Sequence, residues 1–248
     1  MTGDLRAETI TITGHGGDGV EAYLSQPLDE GRHGGVVVIH HMPGYDDGTK
    51  EITRNFAAHG YLAICPNLYS REASGSGPED TAAAVRAAGG VPDERLLGDV
   101  DGAARFLKSL DRSNGKVSTI GYCSGGRQSF LSACSLKLDA AVDCYGAFVV
   151  SAPPKELAGL KAGPILPMAE NLSCPLLGLF GSEDQHPSPE ETAELEKVLA
   201  RHGKTFEFHT YEGAGHAFFA TDRPSYRVDA AREGWRRIWE FFGRYLSG

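Results

Sequence analysis

Apolar and polar residues alternate along Glu8 to Thr13 and again along Val20 to Ser25. A period of two places the apolar side chains on one face of a strand. The glycine-rich Gly14-His15-Gly16-Gly17-Asp18-Gly19 lies between them, so the chain is expected to start as an antiparallel hairpin with a loose turn and His15 on its surface. Gly35-Val36-Val37-Val38-Ile39-His40 is instead continuously apolar and β-branched, as a strand covered on both faces would be. It is expected to be central. The turn-rich His40-His41-Met42-Pro43-Gly44-Tyr45-Asp46-Asp47-Gly48 then leads to a helix with Ile52 and Phe56 on one face, and Tyr61 to Cys65 is the next strand, broken by Pro66.

A loop over Ser74 to Pro78 precedes a short alanine-rich helix, Thr81 to Ala88. Pro92 opens a longer helix in which Val100, Ala103, Leu107 and Leu110 recur at three and four residues, and Asn114-Gly115 is read as its end. Lys116 to Ile120 reads as a strand, Arg127 to Leu138 as a helix and Ala140 to Gly146 as a strand. Residues 150–171 carry Pro153, Pro154, Pro164 and Pro167, a composition suited to a cover or lid over one end of a sheet. Pro175 to Gly181 is a further apolar strand. Ser188-Pro189-Glu190-Glu191 joins an N-cap serine, a first-turn proline and a glutamate three residues after the cap, so a helix starts there, carrying Leu195, Val198 and Leu199. After a strand over Thr205 to Tyr211, the last helix presents Trp235, Ile238, Trp239, Phe242 and Leu246, a stripe for the sheet or, alternatively, for a dimer seam. Strands alternating with helices specify an α/β fold with a mostly parallel central sheet and helices on both faces, in one domain spanning 1–248.

Composition narrows the function. Against 24 Lys and Arg stand 33 Asp and Glu, and a net charge of −9 argues against nucleic acid or an anionic membrane as partner. No apolar run approaches the ~18 residues of a membrane span, and the first residues lack an apolar leader core, so the expected location is cytoplasmic. Five cysteines at 65, 123, 134, 144 and 174, with no Cys-x-x-Cys pair, indicate neither a disulfide framework nor a metal site.

Cys123 stands apart from the other four. Gly121-Tyr122-Cys123-Ser124-Gly125 is Gly-x-Cys-x-Gly, the thiol form of the nucleophile elbow, in which a sharp strand-to-helix turn lifts a nucleophile above the sheet. The N–H of the following residue, Ser124, can face a developing oxyanion. Working residues of open parallel sheets gather outside the carboxyl ends of the strands. Those ends offer His41 with Met42, then Cys123, then Asp184 with Glu183 as its rival, then His216. Nucleophile, acid, histidine is the chain order of α/β-hydrolases. In such a site His216 handles the thiol proton and Asp184 fixes its tautomer.

Gly121-Tyr122-Cys123-Ser124-Gly125-Gly126, Cys65-Pro66-Asn67-Leu68-Tyr69, the loop holding Asp184 and Gly215-His216-Ala217-Phe218 together resemble the dienelactone hydrolase (carboxymethylenebutenolidase) family, over about residues 8 to 245. The resemblance implies an α/β-hydrolase domain that hydrolyses a lactone or small ester through a cysteinyl thioester, without cofactor or metal. It implies Cys123 as nucleophile, His216 as base, Asp184 as its partner, and the N–H groups of Ser124 and Met42 as oxyanion hole. Two departures stand out. His41 occupies the place of a glutamate that engages the resting thiol in the family, and the arginine that follows the family's histidine is missing, which leaves Arg86 and Arg223 as candidates for a substrate carboxylate. Tyr145, Phe218 and Phe219 suggest an apolar pocket. A thioesterase or an esterase for larger esters, and a non-catalytic binding or thiol redox-sensing protein, are the other readings. The chain is read as a monomer or homodimer.

Overall fold

The computed structural model describes residues 4–72, 77–157, 159–160 and 162–248. Residues 74–76 of the expected loop at 74–78 lie outside the described residues. The chain runs β1 (Leu5–Thr13), β2 (Gly19–Pro27), β3 (His33–Ile39), α1 (Asp47–Ala58), β4 (Leu62–Pro66), α2 (Pro78–Ala87), α3 (Asp93–Ser109), β5 (Ser113–Tyr122), α4 (Ser124–Ser135), β6 (Ala140–Cys144), β7 (Leu176–Gly181), α5 (Pro189–Arg201), β8 (Phe206–Tyr211) and α6 (Val228–Leu246). The eight strands form one sheet in the order β1-β2-β4-β3-β5-β6-β7-β8. The β1–β2 hairpin joins it antiparallel through β4, and every later pairing is parallel. This is an α/β-hydrolase fold. No described helix is long and apolar enough to cross a membrane.

The two faces follow from the pleat. Along β3, Val37 and Ile39 point into a core shared with Val85 of α2, Val100 and Leu107 of α3, Phe130 of α4 and Leu195 of α5. Their neighbours Val36 and Val38 point into the opposite core, with Phe56 of α1 and Ile238, Phe241 and Phe242 of α6. Successive side chains of a strand alternate between faces, so an unbroken apolar run serves both cores. The α6 stripe therefore packs on the sheet, while Trp239 at its margin stacks flat on His59 at 3.9 Å.

Two local expectations need correction. The α3 helix stops at Ser109, and Asn114-Gly115 lies inside β5, where Gly115 takes φ +87°. The apolar stripe ended earlier than the turn signal because Leu110 already leaves the helix with an extended backbone. His15 is half-buried rather than free at the surface, since its N–H donates to the buried Asp99 at 2.9 Å. At α5, the capping box between Ser188 and Glu191 forms as the sequence indicates.

Glycine contacts bring α4 onto the sheet. A Cβ on Gly121 would lie 1.9 Å from the Gly125 carbonyl oxygen, and one on Gly125 would lie 2.3 Å from that of Ile39 and 2.8 Å from that of His40. Asp143 of β6 is fully buried beneath this junction, accepting the Gly146 N–H at 2.7 Å while its second oxygen has no partner among the described residues. Burial pushes its carboxyl up to about 7, against the opposing pull of that hydrogen bond.

Two stability measurements check this packing. Gly125→Ala is expected to lower the urea-derived stability by about 1–3 kcal/mol, because backbone carbonyls cannot yield as a flexible side chain would. The folded chain binds the Asp143 proton more tightly than the unfolded chain, whose carboxyl titrates near 4. That contribution is complete below pH 4 and disappears as pH rises through 7, a loss on the order of 4 kcal/mol. Asp143→Asn should consequently gain on the wild type in urea midpoint, and by more at pH 8 than at pH 5.

Candidate active site

Cys123 sits at the corner between β5 and α4 with φ 57° and ψ −120°. A non-glycine residue in that region is strained by roughly 1–3 kcal/mol and persists only where its surroundings impose it. The constraints here are its N–H, which donates to the Cys144 carbonyl at 3.0 Å, and its carbonyl, which accepts from Gly126 and Arg127 at 2.9 and 3.3 Å. Tyr145, Phe148 and Ala217 also have positive φ, and all four residues line cavities that meet at Cys123. The N–H groups of Ser124 and Met42 donate to no acceptor among the described residues.

His216 and Asp184 arrive from loops after β8 and β7. The two loops interlock: Glu183 N–H donates to Ala214 at 2.9 Å, Gly213 N–H to the Ser182 hydroxyl at 3.0 Å, and a Cβ on Gly181 would meet the Ala214 carbonyl oxygen at 2.3 Å. Glu183 faces solvent whereas the Asp184 side chain is 1 % exposed, which decides between them. His216 Nδ1 lies 2.9 Å from Asp184 Oδ2, and Asp184 Oδ1 accepts the His186 N–H at 2.9 Å. Tyr145 packs its ring edge-on against His216 at 5.2 Å. Burial opposes charge on the His216 ring. Its hydrogen bond to Asp184 and the approach of the Cys123 sulfur more than offset this, holding its pKa up to about 10.

The remaining thiols are enclosed. Burial pushes Cys134 and Cys174 up to about 12 and drives Cys65 and Cys144 upward as well. All five cysteines are free, and Cys123 is the one that is not buried. Among the described residues, no group of three or more His, Cys, Asp or Glu could hold a metal ion.

Cys123, Met42 and His216 separate two cavities. The larger, about 550 Å³, is walled by Val85, Val91, Leu96, Phe148, Leu157 and Leu160. The last two come from the proline-rich segment over 150–171, whose 3₁₀ turns lie at Lys155–Leu157 and Leu166–Asn171. The smaller, about 300 Å³, carries His41, Asp46, Thr49, Tyr145, Phe219 and Thr221. Arg86 borders the larger and Arg223 the smaller, both exposed, so the two cations stand on opposite sides of the sulfur.

Phe218 is displaced from its expected place. It is fully buried behind the site, 5.1 Å from the Tyr145 ring and 5.2 Å from that of Tyr211, and borders neither cavity; Phe219 does. The tight turn at Ala217 sends the first phenylalanine inward. His41 takes Asp46 as partner, Nε2 to Oδ2 at 3.1 Å.

Residue-by-residue reading of the chain missed three participants. Asp46 could have been suspected from Asp-x-x-Thr before an apolar helix, since it caps α1 by accepting the Thr49 N–H. His40, wholly buried, bridges two loops: Nδ1 donates to the His41 carbonyl at 2.9 Å and Nε2 accepts the Leu68 N–H at 3.1 Å. Burial lowers its pKa to about 4, so the ring is neutral and this tautomer is fixed by its partners. Tyr69, buried against His40 with ring centroids 4.6 Å apart, forms part of the larger cavity. Tyr69 closes the Cys65-to-Tyr69 stretch that carries the resemblance, but nothing in the local sequence brings its ring onto that of His40.

Known proteins share this arrangement of the chain. The family model for the dienelactone hydrolase family matches residues 20–246. An Escherichia coli K12 protein provisionally named carboxymethylenebutenolidase is 34% identical over 239 residues, covering 92% of this chain and 84% of its own length. A Bradyrhizobium protein named as a probable 2-oxo-3-(5-oxofuran-2-ylidene)propanoate lactonase is 27% identical over 252 residues, covering 98% of each chain. A crystal structure from Klebsiella pneumoniae subsp. pneumoniae MGH 78578, provisionally named a dienelactone hydrolase, superposes with a TM-score of 0.85 at 28% identity, covering 98% of this chain and all of the other. With residues 20–246 matched by the family model and a 34% identical relative spanning 92% of it, the chain belongs to the dienelactone hydrolase family.

Proposed function

We propose that this hydrolase cleaves lactones or carboxylic esters through a covalent thioester on Cys123, with His216 and Asp184 completing a Cys-His-Asp triad. The observation that carries the reading is the buried Asp184 carboxylate held 2.9 Å from His216, whose ring approaches a sulfur on a strained turn. An imidazolium beside a thiol favours the thiolate, and the positive end of α4 adds to this. The sulfur attacks the carbonyl carbon, and the oxyanion is received by the N–H groups of Met42 and Ser124. The leaving oxygen takes its proton from His216, and water then cleaves the thioester. Neither metal nor organic cofactor enters this scheme. The substrate is a small molecule, and the lactone in the name of the Bradyrhizobium relative supports a butenolide-like ring as one candidate.

A second reading, an esterase or thioesterase for larger substrates, is favoured by the cavity of about 550 Å³, where Val85, Val91, Leu96, Leu157 and Leu160 form an aliphatic stretch beside the Arg127–Asp93 ion pair. This cavity is roomier than a compact lactone requires. Arg86 at its border would then meet a distal carboxylate, and Arg223 would face the smaller compartment.

Cys123→Ala is expected to abolish turnover of p-nitrophenyl acetate and of dienelactone while leaving thermal unfolding unchanged, and Cys123→Ser to retain weak activity at most. Turnover at the wild-type rate in Cys123→Ala would reject the covalent route. Iodoacetamide followed by peptide mass mapping should label Cys123 and spare the four enclosed thiols. In His216→Asn that labelling should slow by about tenfold or more at pH 7, because the thiolate loses its counter-charge. A p-nitrophenyl ester series separates the two substrate readings: octanoate turned over at least as efficiently as acetate supports the larger ester, and turnover confined to dienelactones supports the smaller.

A further inference from the structure

Two histidine–aspartate pairs border Cys123, and the triad uses one of them. The other is His41 with Asp46, Nε2 to Oδ2 at 3.1 Å, their side chains 23% and 26% exposed. Asp46 is itself locked, its Oδ1 accepting both the N–H and the hydroxyl of Thr49 at 2.8 Å. Burial works to raise its carboxyl pKa, but the hydrogen bonds from His41 and Thr49 outweigh this and hold it well below the usual carboxylate range. An anionic oxygen fixed in place at Nε2 sets the orientation of the His41 ring and leaves Nδ1 without a partner among the described residues. Both residues line the smaller cavity, together with Cys123 and His216.

The two cavities leave space on both sides of the sulfur. The larger has room for an acyl chain beside Val85, Leu96, Leu157 and Leu160. Thr49, Asn55, Thr221 and Asp222 give the smaller the polar partners that an ordered water needs. His216 is engaged by Asp184 and, before acylation, by the sulfur; after acylation it is the alternative base, and His41 differs from it in bordering the smaller cavity alone. We propose that His41, oriented by Asp46, is a second catalytic base that activates the water releasing the acyl group from Cys123. The proposal rests on the thioester reading above.

Nδ1 of His41 takes one proton from water as the water oxygen bonds to the thioester carbonyl carbon, and the carbonyl electron pair moves onto its oxygen. When that pair returns, the C–S bond breaks and its electrons leave on the sulfur, beside His216. The carboxylic acid departs. His41 then loses its proton to solvent, and His216 regains the one it gave to the leaving alcohol. His41 is thus a catalytic residue and Asp46 a positioning residue.

Stopped-flow hydrolysis of p-nitrophenyl acetate tests this, because its leaving group needs no protonation and the acylation burst is seen separately from release. His41→Ala and, as a milder change, His41→Gln should keep a stoichiometric burst of p-nitrophenolate, while the steady rate falls by about tenfold or more. Intact-mass measurement should show acetyl accumulating on Cys123, and added imidazole should restore release in His41→Ala. Asp46→Asn, which preserves the cap on α1, should show the same split in weaker form. An unchanged steady rate, or burst and steady rate falling together with no acetyl accumulation and no imidazole rescue, would overturn the role of His41. If acetyl never forms on Cys123 in wild type under rapid quench while p-nitrophenolate is still released, the thioester reading itself fails.

Discussion

A backbone that must bend where two layers touch governs this molecule. Gly121 and Gly125 let α4 descend onto β5 and onto the end of β3 with less room than a methyl group needs, and the chain between them has no slack. Cys123 is therefore held in a left-handed conformation that its side chain disfavours, with its N–H tied to β6 and its carbonyl to the first turn of α4. The energy for this distortion comes from two extensive cores, one on each face of the sheet. The burial of Asp143 in the same junction adds a cost that grows with pH.

Around that corner, three histidines behave differently because their surroundings differ. His40 is sealed in the core, neutral, and serves as a bracket between the loops after β3 and β4. His216 is held by an almost inaccessible carboxylate and favours its charged form. His41 sits between these extremes, half-buried against a carboxylate that also caps a helix. One residue type thus supplies a structural bracket, a partner for the sulfur and a ring with a nitrogen to spare. The division is set by burial and by which oxygen each ring meets.

The cavities extend the same logic to binding. Cys123 lies where two compartments meet, each mixing apolar walls with polar groups: Leu157 and Leu160 with Arg127 and Asp93 in one, Phe219 and Trp235 with Thr49 and Asp46 in the other. A site divided in this way can hold two parts of a bound molecule on either side of the sulfur. The proline-rich segment contributes Leu157 and Leu160 to the larger compartment, which ties its size to a part of the chain outside the sheet.

Much of this was legible in the sequence. Period-two alternation gave the hairpin, the unbroken run at Val36 to Ile39 gave the central strand, Ser188 to Glu191 gave the start of α5, and Gly-x-Cys-x-Gly marked the corner, because backbone geometry writes these patterns locally. The chain order of Cys123, Asp184 and His216 was legible too, since it follows from which strand ends carry reactive side chains. Only the tertiary structure decided that Asp184 and not Glu183 meets His216, that His41 turns to Asp46, that Phe218 enters the core while Phe219 borders the site, and that Arg86 and Arg223 stand on opposite sides of the sulfur. Each of those outcomes depends on loops that converge from strands far apart in the chain, where the partner of a side chain is set by packing across the sheet rather than by its neighbours in sequence.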